Sequence, residues 1–174
     1  MKRLFIVMCV ALFGMSAQAQ EKGDIAVGLH GGATFTKIEF LGIKESTTQI
    51  GLGAFAQYNF ANKWRVELEG THHFKKNHVS DILVGLNIHY LIRLTDDMKL
   101  YPLIGYALNF VHTEAYQEGE VIEDGKNSTD GGIQLGLGLQ YNIKDNWFVS
   151  GEYKYQPGIF GDGHVAMVGV GYRF

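Results

Sequence analysis

The chain has 174 residues and a formal net charge of −3, with 15 lysines and arginines against 18 aspartates and glutamates. This length favours a single domain, and the mildly acidic balance argues against binding to nucleic acid. The only cysteine, Cys9, lies inside an apolar stretch, so we expect no disulfide framework, no thiol chemistry and no lipoprotein cleavage site.

Residues 1–19 have the pattern of an export signal. Residues 1–3 form a positively charged start, residues 4–15 form a short apolar run, and small residues lead up to Ala19. The apolar run is shorter than the ~20 residues that a membrane-spanning helix needs. We therefore predict cleavage after Ala19. The exported domain over residues 20–174 then has a formal charge of −5, because two basic residues are lost from a total of −3.

Eight segments of the remaining chain alternate between two kinds of side chain. Strict alternation predicts β-strands with two different faces, and turn-forming or polar residues separate the segments. Pro102 predicts an irregular start to the fifth strand. The predicted strands cover residues 24–35, 48–60, 64–74, 79–92, 99–112, 131–142, 147–155 and 164–174. The predicted short turns are 61–63, 95–97 and 144–146, and the predicted loops are 36–47, 75–78 and the long acidic stretch 113–130.

The two faces differ in charge. One face carries apolar and aromatic side chains and no Asp, Glu, Lys or Arg in any segment. The other face combines many glycines with the charged residues Arg65, Glu67, Glu69, Asp81, Glu152, Lys154 and Arg173. A soluble eight-stranded barrel places its apolar face inside, whereas a membrane barrel inverts this arrangement. Charges and glycines suit a narrow lumen, so the pattern favours the membrane barrel.

Aromatic residues of the apolar face cluster at the strand ends. One cluster, at the rim of the short turns, is Tyr58, Phe60, Trp64, Tyr90, Tyr141, Trp147, Tyr172 and Phe174. The other cluster, at the rim of the longer loops, is Phe35, Phe74, Phe110 and Tyr155. Two aromatic girdles around an aliphatic band are typical of a bilayer with two interfaces. The pattern predicts an all-β, eight-stranded antiparallel up-and-down transmembrane β-barrel with its short turns in the periplasm.

The last strand ends the chain on an aromatic residue. Residues 169–174 read Gly-Val-Gly-Tyr-Arg-Phe, and Gly171, Tyr172 and Phe174 resemble the C-terminal signal read by the barrel-assembly machinery. With these residues the chain resembles the small eight-stranded outer-membrane barrels of Gram-negative bacteria, of the OmpX and OmpA-barrel type. The resemblance implies an integral outer-membrane location. It also implies a monomer that contacts outer-membrane lipid, lipopolysaccharide and, during insertion, the assembly machinery.

The inward charges allow two interpretations. They can line a conducting path or a substrate site, or they can form a packed, charge-paired plug. Eight strands leave an interior only wide enough for side chains, so the plug is favoured. Asp24 and Arg173 both point inward on the strands that close the barrel, and we predict that they lie close enough to pair.

Neither catalysis nor metal binding is predicted. His78 and Ser80 have the His-x-Ser spacing of barrel enzymes that deacylate lipid A, but the neighbouring strand offers no acid in a convincing register. His72 and His73 are adjacent on a strand and therefore point to opposite faces, so they cannot both bind one metal ion. The acidic loop can attract divalent cations or a basic partner, but a solvated loop is favoured.

The sequence therefore predicts a non-enzymatic protein without a cofactor. Its expected role is structural, in envelope integrity, or interactive, through its extracellular loops. The alternatives are a narrow pore for small solutes and a lipid-modifying outer-membrane enzyme.

Overall fold

The computed structural model describes residues 22–40, 43–76, 79–113, 116–118, 121–123, 126–144, 146–158 and 161–174. The predicted export signal lies outside the described residues and stays a prediction. The strands are β1 Ile25–Phe40, β2 Ile43–Ala61, β3 Trp64–Lys76, β4 Val79–Tyr90, β5 Ile92–Arg93, β6 Met98–Thr113, β7 Tyr116–Glu118, β8 Val121–Glu123, β9 Lys126–Lys144, β10 Trp147–Gly158 and β11 Gly161–Arg173. Among the described residues there is no helix long and apolar enough to span a membrane.

The strands form a closed, all-antiparallel barrel. The strand order is β4-β3-β2-β1-β11-β10-β9-β6-β5, and β4 also pairs with β6, which closes the ring. The barrel has eight strands when β4 and β5 are counted together, and β7 and β8 form a separate small hairpin. The first and last barrel strands pair from Ala26 opposite Arg173 to Lys37 opposite Asp162. The predicted up-and-down topology is confirmed.

Side-chain alternation gives the barrel an apolar outside and a polar inside. Outward residues such as Leu29 and Val168 are 64% and 71% exposed, whereas Arg65 and Glu69 point inward and are 1% exposed. Because large aliphatic side chains cover the outer wall and charges fill the interior, the alternative of a soluble barrel with an apolar core is wrong.

Two predicted loops are strands in part. β1 continues over residues 36–40 and β2 already begins at residue 43, and the two strands pair as far as Phe40 opposite Ile43. β6 and β9 likewise continue to Thr113 opposite Lys126, so the predicted loop 113–130 is reduced to the segment around the β7–β8 hairpin. In the sequence, the set that contains Phe35 continues with Lys37 and Glu39, whereas Ile38 and Phe40 belong to the other set. The apolar pattern therefore breaks at residue 36, although backbone pairing continues beyond it.

The fourth predicted strand is interrupted. β4 ends at Tyr90 and β5 begins at Ile92, and both Leu91 and Ile92 are buried, so the prediction that Ile92 shares the outward face is wrong. Pairing of β4 with β6 ends at Leu103 and pairing of β5 with β6 resumes at Leu100. Pro102 lies in this gap, where its lack of an N–H removes a ladder hydrogen bond. The irregularity predicted at Pro102 is confirmed, but it lies inside β6 rather than at its start.

The two ends of the barrel differ. The turn rim is the end with the turns at residues 62–63 and 94–97 and at Asn146, and the loop rim is the opposite end. At the turn rim the chain terminus is held by backbone hydrogen bonds, because Arg173 N donates to Asn146 O at 2.9 Å and Phe174 N donates to Ile25 O at 2.9 Å. The last residue therefore remains part of the sheet.

Candidate functional site: the polar lumen

A buried ion pair occupies the middle of the lumen. Lys154 Nζ lies 2.7 and 2.6 Å from the two carboxylate oxygens of Glu69 and 3.4 Å from Glu152 Oε2. The amides of Asn87 and Gln134 donate to Glu69 Oε1 at 3.0 and 3.1 Å. The Lys154 and Glu69 side chains are 1% and 0% exposed, so the pair is sealed from solvent and its charges depend on each other.

Arg65, which lies nearer the turn rim, is held by neutral groups. Its Nε and Nη2 donate to His89 Nδ1 at 3.1 and 2.9 Å, and its Nη1 donates to Gln140 Oε1 at 2.7 Å. The guanidinium lies 4.7 Å from the centre of the Tyr101 ring, and that ring also stacks on His89. In the described part of the chain, no carboxylate forms an ion pair with Arg65.

Glu67, His89 and Glu152 form a cluster beside this arginine. One oxygen of each glutamate and one ring nitrogen of His89 all lie within 4.8 Å of one another. Glu67 accepts from Gln57 at 2.6 Å and from Asn87 at 3.2 Å, and Glu152 accepts from the Tyr101 hydroxyl at 2.8 Å. His89 Nε2 is buried without a hydrogen-bond partner, 3.6 Å from Glu67 Oε1.

The composition of this cluster matches a metal-ligand set, but the state of His89 argues against one. Arginine has only donors, so His89 Nδ1 must accept from Arg65 and the ring proton of the neutral imidazole is on Nε2. A histidine that binds a metal through Nε2 normally donates its other N–H to a partner, which is the reverse of the arrangement here. His89 therefore presents an N–H donor to the two glutamates.

A second polar layer lies nearer the loop rim. His73 Nδ1 lies 2.7 Å from Asp81 Oδ2, and His73 Nε2 shares a 3.0 Å hydrogen bond with Thr34. His30 and Thr71 share a further hydrogen bond of 2.8 Å. These side chains connect the three strands β1, β3 and β4 by direct contacts inside the lumen.

The histidines considered as metal ligands are separated. His73 is 2% exposed inside the barrel, whereas His72 is exposed on the outer wall against Phe74, so they lie on opposite faces as predicted. His78 lies outside the described residues.

Ser80, the other half of the His-x-Ser spacing, lies opposite His112 of the neighbouring strand. His112 Nδ1 donates to Asn127 Oδ1 at 2.6 Å, which gives an outward Ser-His-Asn row that the sequence had not revealed. In the described residues no hydrogen bond joins Ser80 to His112, so the contact between nucleophile and base that acyl transfer needs is not made.

The structure brings the two residues at the closing seam together. Arg173 Nε lies 3.9 Å from Asp24 Oδ2, and Arg173 Nη2 donates to Asn142 Oδ1 at 3.2 Å. The Arg173 and Asp24 side chains are 22% and 21% exposed, so solvent screens this pair far more than the pair in the middle of the lumen.

The aromatic residues at the turn rim point outward and contact one another. The rings of Trp64 and Tyr90 are 5.0 Å apart, and Tyr172 lies 5.2 Å from both Trp147 and Phe174. The structure places all eight predicted members on the outer wall at this rim, namely Tyr58, Phe60, Trp64, Tyr90, Tyr141, Trp147, Tyr172 and Phe174. Of the predicted C-terminal signal, Gly171 faces inward and Tyr172 and Phe174 face outward.

The sequence missed the neutral members of the lumen. They are the amides and rings that link the charges, namely Gln57, Asn87, His89, Tyr101, Gln134 and Gln140. Alternation assigns all six of them to the inward face, and the amides and the histidine beside charged residues on that face were the available signal.

Comparisons with known proteins agree with the barrel geometry. The model of the family described as outer membrane protein beta-barrel domain matches residues 5–174. No curated protein sequence matches the chain.

Solved structures share this fold. The N-terminal β-barrel domain of OprF from Pseudomonas aeruginosa is 18% identical with a TM-score of 0.62, over 90% of this chain and 100% of that chain. Neisserial surface protein A is 18% identical with a TM-score of 0.61, over 86% of this chain and 99% of that chain. Ail, the attachment invasion locus protein of Yersinia pestis, is 18% identical with a TM-score of 0.57, over 88% of this chain and 100% of that chain. At this identity the likeness shows the fold alone.

Proposed function

The chain belongs to the outer membrane protein beta-barrel domain family, and we propose that it acts as a plugged outer-membrane barrel with a structural or surface-contact role. Its outer wall meets lipid, and its lumen is a packed network rather than a path for solutes. Contacts with other molecules then take place at the loop rim.

The observation that carries this proposal is the sealed Lys154–Glu69 pair in the middle of the lumen. Four strands supply its immediate partners, because Asn87 and Gln134 complete the coordination of Glu69. At the turn rim, the pocket between Asp24, Arg65 and Arg173 has no space that admits a sphere the size of water. A solute would have to break buried, charge-assisted hydrogen bonds to pass.

The outer wall supports an orientation in the membrane. The girdle at the turn rim contains both tryptophans of the chain, Trp64 and Trp147, and such aromatic belts lie at membrane–water interfaces. Bacterial barrels have short periplasmic turns and longer extracellular loops, so the turn rim faces the periplasm in this proposal. The loop rim then lies among lipopolysaccharide, and the assembly machinery inserts the chain as a monomer.

The loop rim offers a surface for contact. The β1–β2 and β6–β9 arms continue there beyond the strand ends that the apolar pattern predicted, and the β7–β8 hairpin extends the second arm. Ail has been solved in complex with the heparin analogue sucrose octasulfate, which is a property of that protein. For this chain we assign the contact role to the two arms without naming a ligand.

Planar-bilayer recording tests the plug. The purified barrel, refolded in lipid, is expected to give no steady single-channel conductance. Its folding is checked separately by the mobility shift on heating in SDS gels. Steady conductance from a heat-modifiable preparation would replace the plug by the narrow-pore alternative.

Mass spectrometry tests the enzyme alternative. Outer-membrane lipids from cells with and without the gene are expected to give the same spectra. A lipid species that depends on the gene, and that disappears in a Ser80→Ala variant, would establish the enzyme.

A further inference from the structure

The middle of the lumen holds more negative than positive charge. Three carboxylates, Glu67, Glu69 and Glu152, lie in this region, and the one ammonium, Lys154, is within ion-pair distance of Glu69 and Glu152. Arg65 adds a second positive charge nearby, but its hydrogen bonds go to neutral His89 and Gln140. With both cations counted, the five ionised groups sum to −1.

An unbalanced charge is costly in this place. The side chains of Glu67, Glu69 and Lys154 are 3% or less exposed, and lipid surrounds the barrel wall. A buried group without a compensating charge is neutralised rather than left ionised, because desolvation outweighs what neutral hydrogen bonds return. The cluster therefore favours binding one further positive charge.

The geometry identifies that charge as a proton and places it on Glu67. Lys154 lies 3.4 Å from Glu152, whereas Glu67 accepts hydrogen bonds from the amides of Gln57 and Asn87 and, among the described residues, forms no ion pair with a lysine or an arginine. A metal ion is disfavoured because His89 presents a proton, not a lone pair, to the glutamates. We propose that the folded lumen binds one proton on the Glu67–Glu152 pair, carried by Glu67 at neutral pH.

Several titratable or charged side chains surround the Glu67–Glu152 pair and can contribute to the pH dependence of stability. The titratable or charged ones are Arg65 and Glu69 from β3, His89 from β4, Tyr101 from β6, Lys154 from β10 and His30 from β1. The inward side chains of β2, β9 and β11 at this level are uncharged. The His73–Asp81 pair is common to wild type and variant, so the difference between their pH slopes is the readout, not the wild-type slope.

Urea unfolding of the refolded barrel between about pH 5 and about pH 9 tests the proton site, because an unfolded glutamate is ionised throughout this range. The folded state retains a proton that the unfolded chain releases, so this site makes stability fall as pH rises. One proton changes the unfolding equilibrium constant by at most tenfold for each pH unit. In Glu67→Gln this component is expected to vanish, and the variant is expected to exceed wild type in stability at about pH 9.

Glu69→Gln is the matched control. It replaces a neighbouring buried glutamate of the same strand, but one that Lys154 neutralises, so it is expected to be less stable than wild type at every pH. Equal pH slopes for Glu67→Gln and wild type would overturn the proposal, as would a loss in Glu67→Gln at about pH 9 equal to that of Glu69→Gln.

Infrared spectroscopy tests the site on the wild-type protein, without relying on a variant that folds. A stretching band from a buried protonated carboxyl is expected at neutral pH and is expected to disappear at about pH 9. Absence of that band at neutral pH would overturn the proposal. Stabilisation of the wild type by Zn²⁺ or Mn²⁺ that Glu67→Gln lacks would also overturn it, since the cluster would then be a metal site.

Discussion

Replacing Lys154 by methionine is expected to destabilise the barrel strongly. The substitution keeps a long apolar side chain but removes the ammonium that contacts Glu69 at 2.6 and 2.7 Å. Glu69 then remains buried with only the amides of Asn87 and Gln134, and Glu152 also loses its neighbouring cation. Because the Glu69 side chain is 0% exposed, water can solvate its carboxylate only if the surrounding hydrogen-bond network opens.

The magnitude follows from the geometry. At 2.6 Å and an effective dielectric constant of about 20, the gross attraction between the two charges is about 6 kcal/mol. Part of this is returned because the lysine no longer has to be desolvated. Breaking a buried pair from one side typically costs about 3–5 kcal/mol, and we expect Lys154→Met to lie in that range.

Two variants separate the charge effect from packing. Glu69→Gln should cost less than Lys154→Met, because Lys154 keeps Glu152 at 3.4 Å. The double variant should recover part of the loss, because a glutamine at position 69 leaves no buried charge facing the methionine and still accepts from Asn87 or Gln134, whereas Glu152 still lacks its lysine. Arg93→Met removes one side of an exposed pair with Asp96 and should leave stability almost unchanged.

Urea titration of the barrel refolded in lipid vesicles measures these differences. Tryptophan emission and mobility in unheated SDS gels report the folded fraction independently. If Lys154→Met costs no more than Arg93→Met, or if the double variant is less stable than Lys154→Met, the lumenal pair does not hold the barrel together as argued here.

Two further predictions concern packing and membrane placement. A Cβ added at Gly138 would overlap the ring of Tyr101, which is held by contacts with both Arg65 and His89. Gly138→Ala is therefore expected to cost about 1–3 kcal/mol in urea unfolding, whereas Gly151→Ala, with no atom within 4 Å of the new Cβ, should cost far less. Trp64 and Trp147 lie at the same rim. The fluorescence of both should therefore be quenched more by lipids brominated near the headgroup than by lipids brominated at the chain ends. A large difference in depth between the two tryptophans, measured in single-tryptophan variants, would contradict the girdle.

The barrel could be predicted from the sequence because the alternation of side chains along each strand is a local pattern. A period of two assigns each side chain to a face without knowledge of any partner strand, and it placed Arg65, Glu67 and Lys154 inside correctly. It also identified the outward aromatic residues at the strand ends, because this requires only the face of each residue and the bounds of each strand. The arms at the loop rim were not predicted because the apolar pattern of the barrel strands does not continue into them; Lys37 and Glu39 follow Phe35 in the same alternation set.

The contacts inside the lumen could not be predicted in the same way. A shift of one strand by two residues keeps every face but changes every cross-strand partner, so alternation does not fix register. The register also shifts near Tyr58, His73 and Trp147, and alternation does not reveal these irregularities. The hydrogen bond from Arg65 to Gln140 joins residues 75 positions apart, and it depends on the registers of the intervening strands β4 and β6.

The inward glycines show how packing and sequence are connected. The sequence interpretation assigned their space to charged and amide side chains, and Gly85 does adjoin Glu69 and Gln134. Aromatic rings take the same kind of space at Gly28, Gly138 and Gly171, where a Cβ would overlap Phe55, Tyr101 and Phe148 respectively. Gly171 is thus required by the fit of Phe148, which is 1% exposed, independently of any recognition during assembly. The C-terminal glycine of the predicted signal therefore has a structural reason in the finished barrel, whereas Tyr172 and Phe174 on the outer wall remain accessible from the lipid side.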